Sequence, residues 1–318
     1  MGALRRKYFS ESWLLWSALA IGCSIFCWVR VHVVGEFDTS QFRQIIDLLP
    51  KDWRKFASVD FDWLVSYLGR TALTLDEPML LLLVSSWVMV RGSDVVSGEV
   101  SRGTMEMLCA QPVSRKRIWW VHTAWTSLGL VGLVALSWLW MAVGIWTTSV
   151  DETTYPTVWL GVFELPMTFA DPHVETIAMS DRVNPLLFAP GVFNLLTFAF
   201  FWGGFSAWCS SWDRFRWRTL GIVAGFYFVQ GGMKIIAMAS EAFSGIRYGT
   251  VFGFYSPASS IEATSKNVWD CIALVREDSK GEMLPGPLVN NLILIAMGVA
   301  LYWWGCRIFA KRDLPAPI

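Results

Sequence analysis

Few residues in this sequence could carry chemistry, and the most prominent ones lie in or beside long apolar stretches. Asp76, Glu77 and Lys234 lie inside such stretches or at their ends. Ionisable groups inside a bilayer are costly, so they are functional candidates by default. Near the end of a membrane-spanning segment, however, a side chain reaches the interface and the cost falls. We interpret the three as interfacial anchors or a mutual ion pair, and keep them as candidate residues of a transport pathway.

No group of residues in the sequence has the pattern of a catalytic or metal site. Cys23 and Cys27 lie four residues apart. Small residues at this spacing serve close packing between helices. The three histidines are far apart along the chain, at His32, His122 and His173. We therefore predict no catalytic residue and no metal ligand.

The composition is that of a membrane protein. Of the 318 residues, 54% are hydrophobic and 16% are charged, whereas soluble domains carry about 25% charged residues. The chain has 20 tryptophans, a residue that favours membrane–water interfaces. The formal net charge of +0 provides no overall basic surface for nucleic acid. The composition thus argues against a soluble enzyme, a disordered chain and a nucleic-acid binder.

Six apolar stretches are long enough to cross a bilayer, which takes about 20 residues. They are residues 13–34, 72–91, 117–147, 186–209, 218–240 and 288–309. The second is the weakest because Asp76, Glu77 and Pro78 lie in its first turns, but a helix tolerates Pro there. We predict an all-α membrane protein in which residues 1–318 form a single domain with six transmembrane helices.

The basic residues predict the orientation in the membrane. Six spans place both termini on one side, together with segments 92–116 and 210–217. That side and its flanks carry 14 Lys and Arg against six Asp and Glu, and the positive-inside rule assigns it to the cytosol. The apolar run after the basic N-terminus continues to Val34, so we expect an uncleaved first span rather than a signal peptide. We expect a multi-pass protein of a cell membrane, such as a bacterial inner membrane.

Three long segments are expected on the opposite, outer side: residues 35–71, 148–185 and 241–287. In the first, apolar residues recur at helical spacing between Phe42 and Leu68, including Ile45, Ile46 and Leu49. This pattern predicts amphipathic helices that lie on the outer face of the bilayer or cap the bundle. The second segment is rich in proline and is predicted to be mostly irregular.

The connector between spans 2 and 3, residues 91–117, is the most informative segment. Ser93 to Val100 can form a short amphipathic helix that Gly103 ends at a C-cap. Thr104 can cap a second short helix, which Pro112 then ends. We therefore predict two short helices in this connector. A structured, positively charged connector without further function is the alternative interpretation.

The connector also carries a recognisable pattern. It reads Gly98-Glu99-Val100-Ser101-Arg102-Gly103-Thr104-Met105-Glu106-Met107-Leu108, followed by Gln111-Pro112-Val113-Ser114-Arg115. This stretch resembles the E-x-x-x-GT-x-E-x-L-x-x-x-P-x-SR signature of ABC-2-type permeases, the membrane subunits of a class of ATP-binding-cassette transporters. The six-span layout and the place of the connector are similar too. The nearest-looking group accompanies nitrous-oxide-reductase maturation and gliding motility. Cys109-Ala110 and the long 148–185 segment depart from that group.

The resemblance implies that the connector forms coupling helices that dock into a groove of an ATPase subunit. It assigns eight residues to this element: Gly98, Glu99, Arg102, Gly103, Thr104, Glu106, Pro112 and Arg115. The sequence has no G-x-x-x-x-G-K-[ST] phosphate loop. ATP and Mg are therefore expected on a partner ATP-binding subunit, with no cofactor in this chain. The other implied partners are a second permease copy or a paralogue, and membrane lipids.

The expected function is that of a permease subunit of an ATP-driven exporter, without enzymatic activity of its own. A membrane-embedded lipid-modifying enzyme is one alternative, but it requires His, Asp, Glu or Ser clustered at the mouth of the spans. An ion-coupled secondary transporter is another, and it requires deep acidic residues or helices broken at mid-membrane. The acidic residues in the spans are peripheral, which favours the permease.

Overall fold

Long helices dominate the computed structural model. It describes residues 2–37, 59–154, 157–159, 164–166, 173–239, 245, 249–277 and 283–313. Within these residues, six helical segments are long and apolar enough to cross a membrane. We name them spans 1 to 6: Leu4–Glu36, Tyr67–Ser101, Arg115–Thr147, Pro185–Trp212, Arg216–Met238 and Pro287–Lys311. The prediction of an all-α membrane protein with six spans is confirmed.

Most helices extend beyond the apolar stretches that predict them. The helices are α1 (Gly2–Glu36), α2 (Phe61–Val65), α3 (Tyr67–Ala72), α4 (Pro78–Ser93), α5 (Glu99–Ser101), α6 (Met105–Cys109), α7 (Arg115–Thr147), α8 (Ala189–Trp212), α9 (Arg216–Ala239), α10 (Pro257–Lys266) and α11 (Pro287–Lys311). Span 1 differs most, because α1 begins at Gly2 rather than near residue 13. Hydropathy marks only the part of a helix that hydrocarbon surrounds, and polar turns continue beyond it.

Span 4 lies at the centre of the bundle and packs against spans 2, 3, 5 and 6. Its contact with span 6 is close because both helices present glycine. A Cβ atom on Gly204 would lie 2.7 Å from the carbonyl oxygen of Gly298. Small residues let helix backbones approach in this way inside membranes. Span 1 packs mainly on span 3, where the Trp16 indole N–H donates to the Gly129 carbonyl at 2.9 Å.

Both described chain ends lie at the same end of the bundle, which we call the terminal face. Lys7, near the start of span 1, contacts Glu99, near the end of span 2. Arg115, at the start of span 3, donates to the carbonyl of Arg312, just after span 6. We call the opposite end the distal face. The prediction that the terminal face is cytosolic stays a prediction.

Span 2 differs from the prediction at both of its ends. Near the distal face it is interrupted, because a 3-10 turn at Leu73–Leu75 precedes Asp76 and α4 begins only at Pro78. At the terminal face it continues past residue 91 through a π-turn, Asp94–Gly98, into α5. The separate amphipathic helix predicted for Ser93 to Val100 is therefore wrong. This stretch is buried from Ser93 to Glu99, and its polar groups find partners inside the protein.

Three pairs of short antiparallel strands lie at the distal face in the described residues. Strands β1 (Ser149–Thr154) and β4 (His173–Ala178) pair in register from Ser149↔Ala178 to Thr154↔His173. Strands β2 (Thr157–Trp159) and β3 (Glu164–Pro166) form a second pair, and β5 (Val275–Glu277) and β6 (Met283–Pro285) a third. The prediction of a mostly irregular 148–185 segment is wrong here, because β-branched residues in β1 favour extended backbone.

The segment before span 2 is only partly described. Phe42, Ile45, Ile46 and Leu49, on which the predicted amphipathic helices rest, lie outside the described residues. In the described part, the short helix α2 is joined at Ser66 to α3, the first helix of span 2, and the Ser66 hydroxyl accepts from the Gly69 N–H at 3.0 Å. Both helices carry buried residues, so this part caps the bundle.

Candidate functional site

The candidate site is built around the π-turn at the terminal end of span 2. A π-turn leaves backbone N–H groups poorly placed for the ordinary helical bonds. Here the Ser210 hydroxyl of span 4 accepts from the N–H groups of Val96 and Ser97, at 3.2 and 2.9 Å. It also donates to the carbonyl of Ser93 at 2.9 Å. Ser210 thus satisfies the irregular backbone and fixes it to the central span.

Asp94 is the first residue of the π-turn and forms ion pairs with three arginines. Its carboxylate lies 2.9 Å from Nη1 of Arg102, 3.3 Å from Nη1 of Arg91 and 3.3 Å from Nε of Arg216. The Asp94 side chain is only 8% exposed. A buried carboxylate is stable only when cations and hydrogen bonds compensate it, and here they come from spans 2 and 5 and the connector.

Glu99, five residues later, joins span 1 to the connector. Its Oε1 accepts from Nζ of Lys7 at 2.6 Å and lies 3.3 Å from Nη2 of Arg102. The Thr104 hydroxyl donates to the other carboxylate oxygen. The Glu99 side chain is 2% exposed. Arg102 therefore bridges the two buried carboxylates, Asp94 and Glu99.

A histidine lies behind this network, on span 3. Nη2 of Arg91 lies 3.2 Å from Nε2 of His122. Arginine has only donors, so the histidine ring accepts through Nε2 and carries its proton on Nδ1. The ring of Tyr8 in span 1 meets the His122 ring edge-on, with centroids 4.8 Å apart. Spans 1, 2 and 3 thus meet in one buried polar cluster.

The structure brings together most of the connector residues that the sequence singles out. Glu99, Arg102 and Thr104 are in direct contact. Gly98 faces Asp94 so closely that a Cβ atom would collide with Oδ1 of that residue. Gly103 has a φ of 72°, a left-handed conformation that favours glycine. It was predicted to end a separate short helix, and in the structure it follows the end of span 2 itself.

The other predicted connector residues lie outside the network. Glu106, in α6, and Pro112 are exposed. Arg115 belongs to a second set of contacts, because its Nη1 donates to the carbonyl of Arg312 at 2.6 Å. Thr104 precedes α6, but its hydroxyl does not cap that helix and bonds Glu99 instead.

A second set of contacts closes the turn between spans 4 and 5. Asp213 accepts from Nε of Arg218 at 2.9 Å and from the backbone N–H groups of Arg214 and Phe215 at 2.6 and 3.1 Å. Burial opposes ionisation of this carboxyl, but these hydrogen bonds outweigh it and lower the pKa of Asp213. Arg312 donates to the carbonyl of Asp213 at 2.9 Å, which ties the end of span 6 to this turn.

The three ionisable residues predicted as pathway candidates lie near the distal face but do not form one site. Glu77 pairs with Nε of Arg30 in span 1, at 3.2 Å. Asp76 interacts electrostatically with Lys234, whose Nζ donates to the carbonyl of Tyr255 at 3.0 Å.

An uncharged polar cluster near these residues was not predicted as a unit. The side-chain amide of Asn194 donates to Oδ1 of Asn291 at 2.8 Å, and the Thr197 hydroxyl donates to the same atom at 2.9 Å. Asn194 also accepts from the Ser256 N–H at 2.9 Å. The cluster connects spans 4 and 6 to the segment that precedes α10. Such hydrogen bonds are needed because lipid hydrocarbon offers polar groups no hydrogen-bond partners.

Sequence reasoning missed most of the partners in the terminal-face network. The missed residues are Lys7, Arg91, Asp94, Ser97, His122, Ser210 and Arg216. One local signal was present, because Arg91 and Asp94 lie three residues apart, where side chains meet on a helix. Among the described residues, no group of three or more His, Cys, Asp or Glu could hold a metal ion.

Comparison with known proteins adds no identification. No family model, no curated protein and no solved structure matches this chain.

Proposed function

We propose that this chain is the membrane-spanning permease subunit of an ATP-driven transporter of the ABC-2 type, and that a separate ATP-binding subunit docks on its terminal face. The docking surface would be the elbow between spans 2 and 3, residues 99–114. One observation carries the proposal. Buried charges hold the root of this elbow, while its tip is exposed and helical.

The root of the elbow is suited to transmit force. Lys7, Glu99 and Arg102 connect span 1, span 2 and the connector through buried or half-buried ion pairs. Such pairs are strong when geometry is good and hydrogen bonds complete them. A push on the elbow would therefore move spans 1 and 2 together, rather than bend a loose loop.

The tip of the elbow has the composition of a docking surface. Glu106 and Met107 are consecutive residues of α6. Glu106 is exposed, and Met107 is 71% exposed. Met105 and Leu108, on the other side of α6, are buried and hold the helix against the bundle. An exposed apolar residue beside a charge suits a partner groove, where the apolar contact supplies affinity and the charge fixes orientation.

The remaining parts of the proposal follow from this assignment. The terminal face would be cytosolic, in a bacterial inner membrane, with ATP and Mg on the partner. Two permease copies, or this chain and a paralogue, would enclose the pathway, and transport would run outward. The chain would perform no covalent chemistry. Asp76, Glu77 and Lys234 remain candidate pathway residues at the distal face.

The test is co-purification of the intact chain from its own cells, followed by mass spectrometry. We expect an ATPase with a phosphate loop among the retained proteins. The variant Glu106→Lys reverses a charge at the tip and should lower ATPase retention by more than about tenfold, since like charges brought together at an interface cost several kcal/mol and about 1.4 kcal/mol already corresponds to tenfold.

The matched control is Asp313→Lys, which reverses an exposed charge outside the elbow and should retain the ATPase as the natural chain does. Equal retention in both variants would refute the docking assignment. ATP hydrolysis by the purified chain alone would refute the whole proposal, as would labelling that places residues 104–112 outside the cell.

A further inference from the structure

A shallow groove lies on the terminal half of span 6, away from the buried network and the elbow. It encloses about 400 Å³ and is lined by Ala300, Trp303, Trp304, Arg307, Ile308 and Lys311. We propose that this groove binds the phosphate headgroup of an anionic membrane lipid. The proposal is independent of the transport function.

The groove presents cations that have no carboxylate partner in the described part of the chain. Arg307 and Lys311 are one helical turn apart, and both are exposed. Neither takes part in an ion pair among the described residues. The adjacent Arg312 points the other way and donates to the carbonyls of Ser211 and Asp213. Span 6 thus uses one arginine inside the protein and offers two cations on its lipid-facing side.

Aromatic rings position one of these cations. The Arg307 guanidinium lies over the Trp303 ring, 3.6 Å from its centroid. Stacking restrains the guanidinium plane while its N–H edges stay free for a phosphate, which it binds in a bidentate manner. Trp303 and Trp304 are 50% and 56% exposed, so both present large apolar surfaces beside the cations.

The spacing along the helix matches the layers of a bilayer. Tryptophan favours the boundary between hydrocarbon and headgroups. Arg307 lies four residues beyond Trp303, or about 6 Å at 1.5 Å per residue. The headgroup layer on each side is about 5–7 Å thick. With the tryptophans at the boundary, Arg307 therefore lies at the depth of lipid phosphates, and Lys311, about 12 Å beyond Trp303, lies on their aqueous side.

A third cation lies on the neighbouring helix, span 3. Lys116 is exposed and interacts electrostatically with Cys306, the residue that precedes Arg307, although it does not line the groove itself. Positive charge on two neighbouring helices favours an anionic lipid headgroup on this part of the surface.

The experiment measures lipid retention by the full chain with native mass spectrometry. Delipidated protein is titrated with phosphatidylglycerol or with phosphatidylcholine of the same chain length. The natural chain should retain phosphatidylglycerol preferentially. The double variant Arg307→Gln and Lys311→Gln should lose affinity about fivefold for each charge removed. Both side chains are exposed. If the double variant folds poorly, Lys311→Gln alone serves as the test and should lower the affinity about fivefold.

The matched control is the double variant Arg5→Gln and Arg6→Gln, which removes two exposed cations from the same face on span 1. It should retain phosphatidylglycerol as the natural chain does. An equal loss in both double variants would overturn the proposal, because it would indicate general attraction to a basic face. Equal retention of both lipids would also overturn it. Displacement of the lipid by millimolar inorganic phosphate would identify a site for free anions instead.

Discussion

Replacing Asp94 with asparagine should destabilise the protein strongly, although the two side chains have the same shape. Asp94 is the carboxylate that balances Arg91, whose side chain is 2% exposed. The other contact of that guanidinium is Nε2 of His122, a neutral acceptor. After the change Asp94→Asn, Arg91 would be a buried cation with no described carboxylate in direct contact, and only Glu11 would act on it through space.

The magnitude follows from which partners can reach water. Removing one member of a buried ion pair typically costs about 3–5 kcal/mol. Arg102 and Arg216 are 39% and 32% exposed, so each can turn to solvent at a cost below about 1 kcal/mol. The cost of leaving Arg91 buried without its partner is therefore the largest contribution to the loss of stability. We expect Asp94→Asn to lower the free energy of unfolding by about 3–5 kcal/mol.

The measurement is reversible unfolding of the purified protein in mixed micelles by titration with dodecyl sulfate. Glu106→Gln, which neutralises an exposed carboxylate on the same connector, serves as the control and should change stability by less than about 0.5 kcal/mol. Adding Arg91→Met to Asp94→Asn should recover much of the loss, because Arg91 then no longer leaves an unpaired charge buried. A loss for Asp94→Asn as small as the control value, or no recovery in the double variant, would refute this reasoning.

Three further predictions concern the terminal face. Gly98→Ala should destabilise the protein more than Gly221→Ala, because the new methyl group collides with Asp94 in the first case and meets no atom within 4 Å in the second; thermal unfolding of both variants decides this. Gly103→Ala should cost about 1–2 kcal/mol in the same assay, since its φ is 72° while its Cβ position is open, and a cost near zero would contradict it. The pKa of Asp213 is lowered in the folded state, so its contribution to stability is complete above pH of about 4, the usual range of aspartate, and is lost as the pH falls further. The natural chain should therefore lose more thermal stability than Asp213→Asn between pH 6 and pH 3, and parallel losses would show that this carboxyl contributes nothing.

Hydropathy predicted the six spans well because each crossing must be apolar over about 20 residues. Hydropathy placed the terminal end of span 2 too early, because this part of the helix is polar and packs against protein. Arg91, Ser93 and Asp94 indicate the end of an apolar run, yet the helix continues to Ser101. The polar side chains there face protein rather than lipid, and a scale that scores residues one at a time does not include their partners.

The site was predicted only in part because its pairs are distant in sequence. Lys7 and Glu99 are 92 residues apart, and Ser97 and Ser210 are 113 residues apart. The connector pattern drew attention to Glu99, Arg102 and Thr104 as surface coupling residues. Glu99 is buried, so within the proposed function it would position the elbow rather than touch a partner, and Glu99→Ala would weaken coupling by loosening the elbow. Glu106 and Met107 are exposed and would be the residues that contact the proposed partner.

The π-turn gives the terminal end of span 2 a tolerance for chain length that a regular helix lacks. A π-turn accommodates one residue more than an α-turn over the same rotation, whereas each residue of a regular helix adds about 100°. Deleting one residue between Asp94 and Gly98 would therefore leave a regular helix in which Glu99 still faces Lys7. Deleting one residue between Leu80 and Val90, in the regular part of the same span, would instead turn Glu99 about a quarter of a circle away from Lys7 and separate span 1 from the connector.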